Sequence, residues 1–390
     1  MKPEVAGRLN GIVEYYFSQK LREIEELNKN GEPIINLGIG SPDMPPPPEV
    51  IKVLQDESAK SNVHAYQSYK GVPALRKAIA GWYQKWYGVE VNADTEVLPL
   101  IGSKEGIMHI SMSYLNEGDE VLVPNPGYPT YRSATLLAGG KCIDYELKED
   151  NGWEPHFEAL ERQDLSKVKL MWANYPHMPT GQAPSREIFE KLVAFGRKHN
   201  ILICHDNPYS FILNEKPMSL LSVEGAKDVA LELNSLSKSH NMAGWRIGML
   251  CGNKQRIEDV LRFKSNMDSG MFLPLQLAAT KALTLDKKWH DELNTIYKKR
   301  REKVFELLDN LDCIYNREQD GLFVWAKIPD TYLDGYALSD DVLKNARVFI
   351  TPGGIFGSAG DKYVRVSLCS TEEKFKEALD RIAKISVQKA

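Results

Sequence analysis

Cysteine is scarce in this chain of 390 residues: five are present, Cys142, Cys204, Cys251, Cys313 and Cys369, far apart and without a C-x-x-C pair. This excludes a disulfide framework and a thiolate zinc cluster, and predicts a reducing, cytoplasmic setting. Long apolar runs are also missing, none approaching the roughly 18 residues that a membrane span needs. The N-terminus, Met1-Lys2-Pro3-Glu4-Val5, has no charged region followed by an apolar one, so no leader is expected. Neither sign of charge dominates: 49 Lys+Arg against 53 Asp+Glu leave a formal charge of −4, which argues against nucleic acid or a membrane surface as partner. The eight histidines show no H-E-x-x-H or similar paired spacing, so no metal site is expected.

What is there is ample length for a large core and a regular alternation of elements. Residues 12–30 have apolar positions near helical spacing, with Asn30-Gly31 as a stop, and a short strand, Ile34–Leu37, follows. The run Ser41–Pro48 holds five prolines, which suit neither a helix interior nor a central strand, and reads as an extended connector. From about 50 to 250, helices (73–87, 103–115) alternate with short apolar strands (96–101, 119–123, 168–173, 201–205, 230–235). That pattern predicts an α/β fold with a mostly parallel sheet covered on both faces and ligands beyond the strand carboxyl ends. After 285 a charged helix, 287–310, short strands near 313–316, 322–327 and 363–367, and a helix over 371–385 suggest a smaller α+β unit.

Three segments carry chemistry. Gly38-Ile39-Gly40 fails as a dinucleotide loop, because prolines stand where the phosphate-binding helix should begin. Ile101-Gly102-Ser103-Lys104-Glu105-Gly106 joins a strand to a helix, so Ser103 is either part of a phosphate-binding N-terminus or a simple cap. The segment Asn234-Ser235-Leu236-Ser237-Lys238, with Arg246 after it, puts a lysine at a strand end beside two hydroxyls and a second cation. Such a lysine, desolvated or near other positive charge, becomes a nucleophile for a carbonyl carbon, and Arg246 also suits a phosphate. Asp206, at the end of an apolar strand, and Tyr209 read alone as a cap and a core phenol. If Lys238 holds an aldehyde cofactor, Asp206 supplies the carboxylate that keeps a pyridinium nitrogen protonated.

On these residues the chain resembles the class I/II aminotransferases of fold type I, which use pyridoxal 5′-phosphate. The Lys238–Arg246 segment, Asp206-x-x-Tyr209, Tyr175-Pro176-His177-Met178-Pro179-Thr180-Gly181 and Tyr363-Val364-Arg365-Val366-Ser367 occur in the family's order. The resemblance implies a seven-stranded, mostly parallel sheet in a large cofactor domain over 46–285. Residues 1–45 would form an arm that joins a smaller domain over 286–390. It makes Lys238 the Schiff-base lysine and the acid/base at the substrate Cα, Asp206 the partner of the ring nitrogen and Tyr209 that of the ring oxygen. Tyr128 would stack on the ring, and Ser103, Lys104, Ser235, Ser237 and Arg246 would surround the phosphate. Tyr66 would reach the phosphate of a neighbouring subunit, which implies a homodimer with shared active sites. Arg365, helped by the Gly40 N–H, would bind the substrate α-carboxylate, with Tyr15 and Asn266 on the substrate side.

One position departs from the family pattern. Met178 stands where Asn-Pro-Thr-Gly has asparagine, and a thioether cannot donate to the ring oxygen; Asn174 or His177 are the residues at hand to fill the gap. Relatives specific for dicarboxylic acids have a second arginine where this chain has Leu261, with Arg262 one residue away. The expected activity is therefore transamination between an amino acid and a 2-oxo acid, on neutral amino acids or LL-diaminopimelate. The alternatives are a carbon–sulfur β-lyase and a catalytically silent binding relative. For the donor side chain, Tyr15, Tyr16, Phe17 and Met271-Phe272-Leu273 are either pocket or core.

Overall fold

A computed structural model describes residues 3–29 and 31–389 of the chain. Asn30, expected to stop the first helix, lies outside them. Among the described residues seven strands form one sheet: β1 (Val97–Leu100), β2 (Glu120–Asn125), β3 (Lys141–Glu146), β4 (Val168–Ala173), β5 (Leu202–Asp206), β6 (Ala230–Ser235) and β7 (Gly248–Gly252). Their spatial order is β1-β7-β6-β5-β4-β2-β3, and β7 alone runs against the rest. The expected mostly parallel α/β sheet is thus present.

Alternation along the strands sends side chains into two separate cores. Leu98, Leu100, Val121, Val123, Leu170 and Trp172 bury one face under the helices Ser103–Tyr114 and Lys254–Lys264. Val97, Leu122, Met171, Ala173 and Ile203 bury the other in the larger cluster, which runs on into the C-terminal elements. Strands covered on both faces read as continuous apolar runs, and this is why the central ones were visible in the sequence.

The second part of the chain packs a three-stranded antiparallel sheet, Thr351–Pro352 with Tyr363–Ser367 with Phe323–Lys327, against the helices Lys287–Asp309, Gly335–Ala346 and Glu372–Lys389. The N-terminal segment is stitched to it: Ile35 and Asn36 pair in parallel with Val348 and Phe349. The first helix starts at Tyr16 instead of residue 12, and the strand expected near 313–316 is a single bridge, Ile314 to Lys327. The proline run ends in a helix, Pro48–Ser58, with Pro48 in the first turn, where a missing N–H costs nothing. No helix among the described residues is long and apolar enough to cross a membrane.

Candidate active site

The carboxyl ends of the parallel strands converge on a cavity of about 430 Å³. After β1 the chain turns through Gly102, at φ 83°, into the helix Ser103–Tyr114. Gly102 is its N-cap and makes no side-chain cap bond, so Ser103 is the first helical residue and not the cap. The first-turn N–H groups and the positive end of the helix dipole are left for an anion. A Cβ on Gly102 would fall 2.2 Å from Arg246 Nη2, so the guanidinium lies against bare backbone. Ser235 caps the short helix Leu236–Ser239, accepting from Ser237 N at 3.0 Å and donating to Ser237 Oγ at 2.8 Å. Ser103, Lys104, Ser235, Ser237 and Arg246 therefore line one end of the cavity together.

Lys238 leaves that short helix and points its amine across the cavity, where Nζ donates to the Gly40 carbonyl at 2.5 Å. Burial pushes its ammonium below the ordinary lysine range, and the charges of Arg365 and Arg246 add to this. Asp206 sits at the end of β5, buried, and accepts from the Tyr131 hydroxyl at 3.0 Å through Oδ2. Its Oδ1 has no partner among the described residues, and burial pushes the carboxyl up to about 6. An unpartnered buried carboxylate oxygen and a desolvated amine facing one cavity are the arrangement that a protonated ring nitrogen and an aldehyde would satisfy. The residues present thus fit the cofactor that the lysine segment suggested.

The strand Tyr363–Ser367 presents Arg365, 4% exposed, to the same cavity. Its Nη2 donates to Gly38 O at 2.8 Å and its Nη1 meets Met178 Sδ at 3.2 Å. Burial lowers the guanidinium pKa to about 10. Neither residue offered by the sequence fills the gap left by Met178. Asn174 lines the cavity, but its Nδ2 donates to Asp206 O at 2.6 Å and its Oδ1 accepts from Met178 N at 2.8 Å. His177 is turned away, with Nδ1 2.8 Å from Thr180 Oγ1.

Tyr15, Gly40, Tyr128 and Tyr209 complete the expected residues around the cavity. Gly40 contributes its carbonyl to Lys238, and a Cβ there would lie 2.2 Å from Phe323 Cζ. Two expected residues stay outside it. Tyr66 is 92% exposed, and Asn266 is exposed with Nδ2 bonded to Arg262 O at 2.8 Å. Of the apolar candidates, Tyr15 and Phe17 line the cavity, whereas Tyr16 packs edge-on against Tyr336 and Phe272 stacks on His64. Arg262 does not line it. Sequence reasoning missed Tyr131, one helical turn beyond Tyr128, and the buried pair behind Asp206, His205 Nδ1 2.8 Å from Glu232 Oε2. For Tyr131 the spacing from Tyr128 was the signal; for Glu232 the signal was an acidic residue inside an otherwise uncharged strand.

The family description "Aminotransferase class I and II" matches residues 32–382. The chain is 40% identical over 382 residues to the LL-diaminopimelate aminotransferase of Dehalococcoides mccartyi, across 97% of this chain and 98% of the relative. The substrate-bound structure of BacF from Bacillus subtilis is 38% identical, with a TM-score of 0.94 over 99% of this chain and 98% of that one. An aminotransferase structure from Staphylococcus aureus has a TM-score of 0.90 at 31% identity, covering 98% and 99%. With agreement along nearly its whole length, and an amine, a carboxylate and a guanidinium facing one cavity, the chain belongs to the class I and II aminotransferases.

Proposed function

We infer that the protein binds pyridoxal 5′-phosphate and moves an amino group from an α-amino acid, either neutral or LL-diaminopimelate, to a 2-oxo acid. The observation that carries this reading is the meeting of Lys238, Asp206 and Arg365 at one cavity of about 430 Å³. The chemistry that the cofactor supplies when bound is an aldehyde for amine exchange and a ring that accepts electrons.

The remaining work falls to the chain. Ser103, Lys104, Ser235, Ser237 and Arg246 would hold the phosphate, assisted by the helix N-terminus at Ser103. Asp206 would keep the ring nitrogen protonated, and Tyr209 would face the ring oxygen alone, since Asn174 is engaged elsewhere. Tyr128 would cover the ring. Arg365 would take the substrate α-carboxylate in a two-pronged contact, with the Gly40 backbone beside it. Lys238, the amine that would anchor the aldehyde, would then take the proton from the substrate Cα and return it; its lowered pKa favours the neutral form that this requires. Tyr66, exposed on its own subunit, would serve the neighbouring site in a homodimer, with Asn266 near it on the substrate side. The divisions near 45 and 285 would separate the cofactor-binding part from the smaller one, and the cytoplasm would be the setting.

The test mixes cofactor-loaded protein singly with amino acids, including alanine, glutamate, phenylalanine and LL-diaminopimelate, and identifies the products. Release of the matching 2-oxo acid, with the amino group left on the cofactor, is expected. Catalytic pyruvate and ammonia from a β-substituted substrate would make the protein a lyase. Borohydride reduction followed by peptide mapping should label Lys238, and a label elsewhere would remove it from its role.

A further inference from the structure

The turn from β1 into the helix Ser103–Tyr114 is fastened by a carboxylate that does not line the cavity. Ile101 belongs to neither regular element: the pairing of β1 ends at Leu100 with Gly248, and the helix begins at Ser103. Its side chain is 37% exposed, so burial alone does not fix it, and its N–H donates to Glu105 Oε2 at 2.5 Å. A glutamate at the third helical position ordinarily reaches back to the N–H of the capping residue. Here it reaches one residue further and fastens the chain just before Gly102, whose φ of 83° and missing side chain give the turn its freedom. The bond uses no N–H of the first helical turn, so those groups stay turned toward an anion.

The other oxygen of Glu105 is also surrounded. Oε1 lies 3.0 Å from Nε2 of His109, one turn along the same helix and 1% exposed, and an oxygen of Asp268 stands within 4.8 Å of the ligand atoms of both. Asp268 accepts through both oxygens, at 2.5 and 2.7 Å, from the ammonium of Lys264, itself 1% exposed. A carboxylate at this helix end would oppose a phosphate there, and the imidazole and the ammonium beside it offset that charge.

We propose that Glu105 is a positioning residue for the cofactor's phosphate, which by accepting from Ile101 N holds the turn in its receiving shape before the phosphate arrives. This rests on the reading of the helix N-terminus as the phosphate site and adds the residue that shapes it. A turn already ordered loses no freedom on binding, which is how the bond raises affinity. What Glu105 supplies is an acceptor at a fixed reach, not a charge.

Two aldehydes separate the phosphate from the rest of the cofactor: pyridoxal 5′-phosphate, and 5′-deoxypyridoxal, which keeps the ring and the aldehyde but has no phosphate. Each is titrated into cofactor-free wild type, Glu105→Ala, Glu105→Asp and Glu105→Gln, following the absorbance of the lysine-bound form, and the ratio of the two affinities is the readout. Wild type should favour the phosphate-bearing aldehyde. Glu105→Ala has no acceptor, and Glu105→Asp keeps the charge but is one methylene short, so both should lower the ratio about tenfold or more. Glu105→Gln keeps a carbonyl oxygen for Ile101 N and can donate to Asp268, so it should hold the ratio within about threefold. A merely structural glutamate would weaken both aldehydes alike and leave the ratio unchanged; that result, or a glutamine variant as impaired as the alanine one, would overturn the proposal. If Glu105→Ala does not fold, the contrast between aspartate and glutamine decides. A wild type without preference for the phosphate would remove the phosphate site and the proposal together, whereas an unchanged ratio in the variants removes Glu105 alone.

Discussion

At Asp206 the protein holds a carboxyl in surroundings that favour its neutral form until a cation arrives. Burial pushes its pKa from 3.8 to about 6, against the Tyr131 hydrogen bond and the nearby His205, which pull it down. Below the unfolded pKa the group is neutral in both folded and unfolded chains. Between the two values only the unfolded chain gives up the proton, so stability falls as pH rises through about 6. The contribution lost is about 3 kcal/mol. Cofactor-free Asp206→Asn has no such loss and should gain on cofactor-free wild type as pH rises from about 4 to about 7. Urea midpoints over that range check this; a gap independent of pH would contradict it. The same substitution should abolish transamination, so one residue trades stability of the empty protein for function.

At the scale of elements, the strands buried on both faces were legible, because β2, β4, β5 and β6 are short apolar runs. Two strands of the seven-stranded sheet were not read, for different physical reasons. Strand β3 is an edge, paired to β2 alone, and it carries Lys141, Asp144 and Glu146 where a central strand would be apolar. Strand β7 begins and ends with glycine, which weakens the strand signal. Its Gly248 is required by packing, since a Cβ there would lie 2.6 Å from Ser103 N. The bridge at Ile314 imitated a strand through a short apolar pattern, yet Ile314 is 68% exposed. The site residues on strand ends were readable because lysine and aspartate interrupt apolar runs. The rings of Phe17, Phe323 and Phe356 around Arg365 come from separate elements, and no sequence spacing joins them.

The turn from β1 into its helix gives an element-scale prediction. Gly102→Ala forces a side chain to φ 83° and into the space of Arg246, costing about 1–3 kcal/mol and displacing the guanidinium. Gly118→Ala is the control, with φ 86° and nothing within 4 Å of the added Cβ. Thermal melts should show a loss in both variants, whereas cofactor affinity should fall in Gly102→Ala alone. Equal affinity in the two would separate the turn from the phosphate site.

For the whole molecule, the exposed Tyr66 makes the proposed sharing of sites measurable. Lys238→Ala and Tyr66→Ala proteins, each inactive or impaired alone, are unfolded together, refolded and assayed. In a mixed dimer with shared sites, one site carries both defects and the other neither, so activity should recover to about one quarter of wild type. If Tyr66 serves its own subunit, each site keeps one defect and no recovery occurs.

The hydrogen bond from Lys238 to Gly40 has a consequence of another kind. Gly40 belongs to the segment stitched through Ile35–Asn36 to Val348–Phe349, and Lys238 belongs to the short helix Leu236–Ser239 after β6, so this nitrogen is one tie between the two parts of the chain across the cavity, beside that of Asn241 Nδ2 to Pro45 O. The nitrogen cannot serve both attachments fully: once it is bonded to carbon, at most two of its protons remain for the carbonyl, and its direction is fixed by the new bond. Holding the cofactor and holding the Gly40 carbonyl therefore compete, and any loosening is confined to the residues around Gly40, because Gly38 stays bonded to Arg365 and Thr351 and Asp43 to Arg300. Amide hydrogen exchange at Ile39–Ser41 should be faster after reductive attachment at Lys238 than in the cofactor-free protein, and slower exchange there would show that the tie survives.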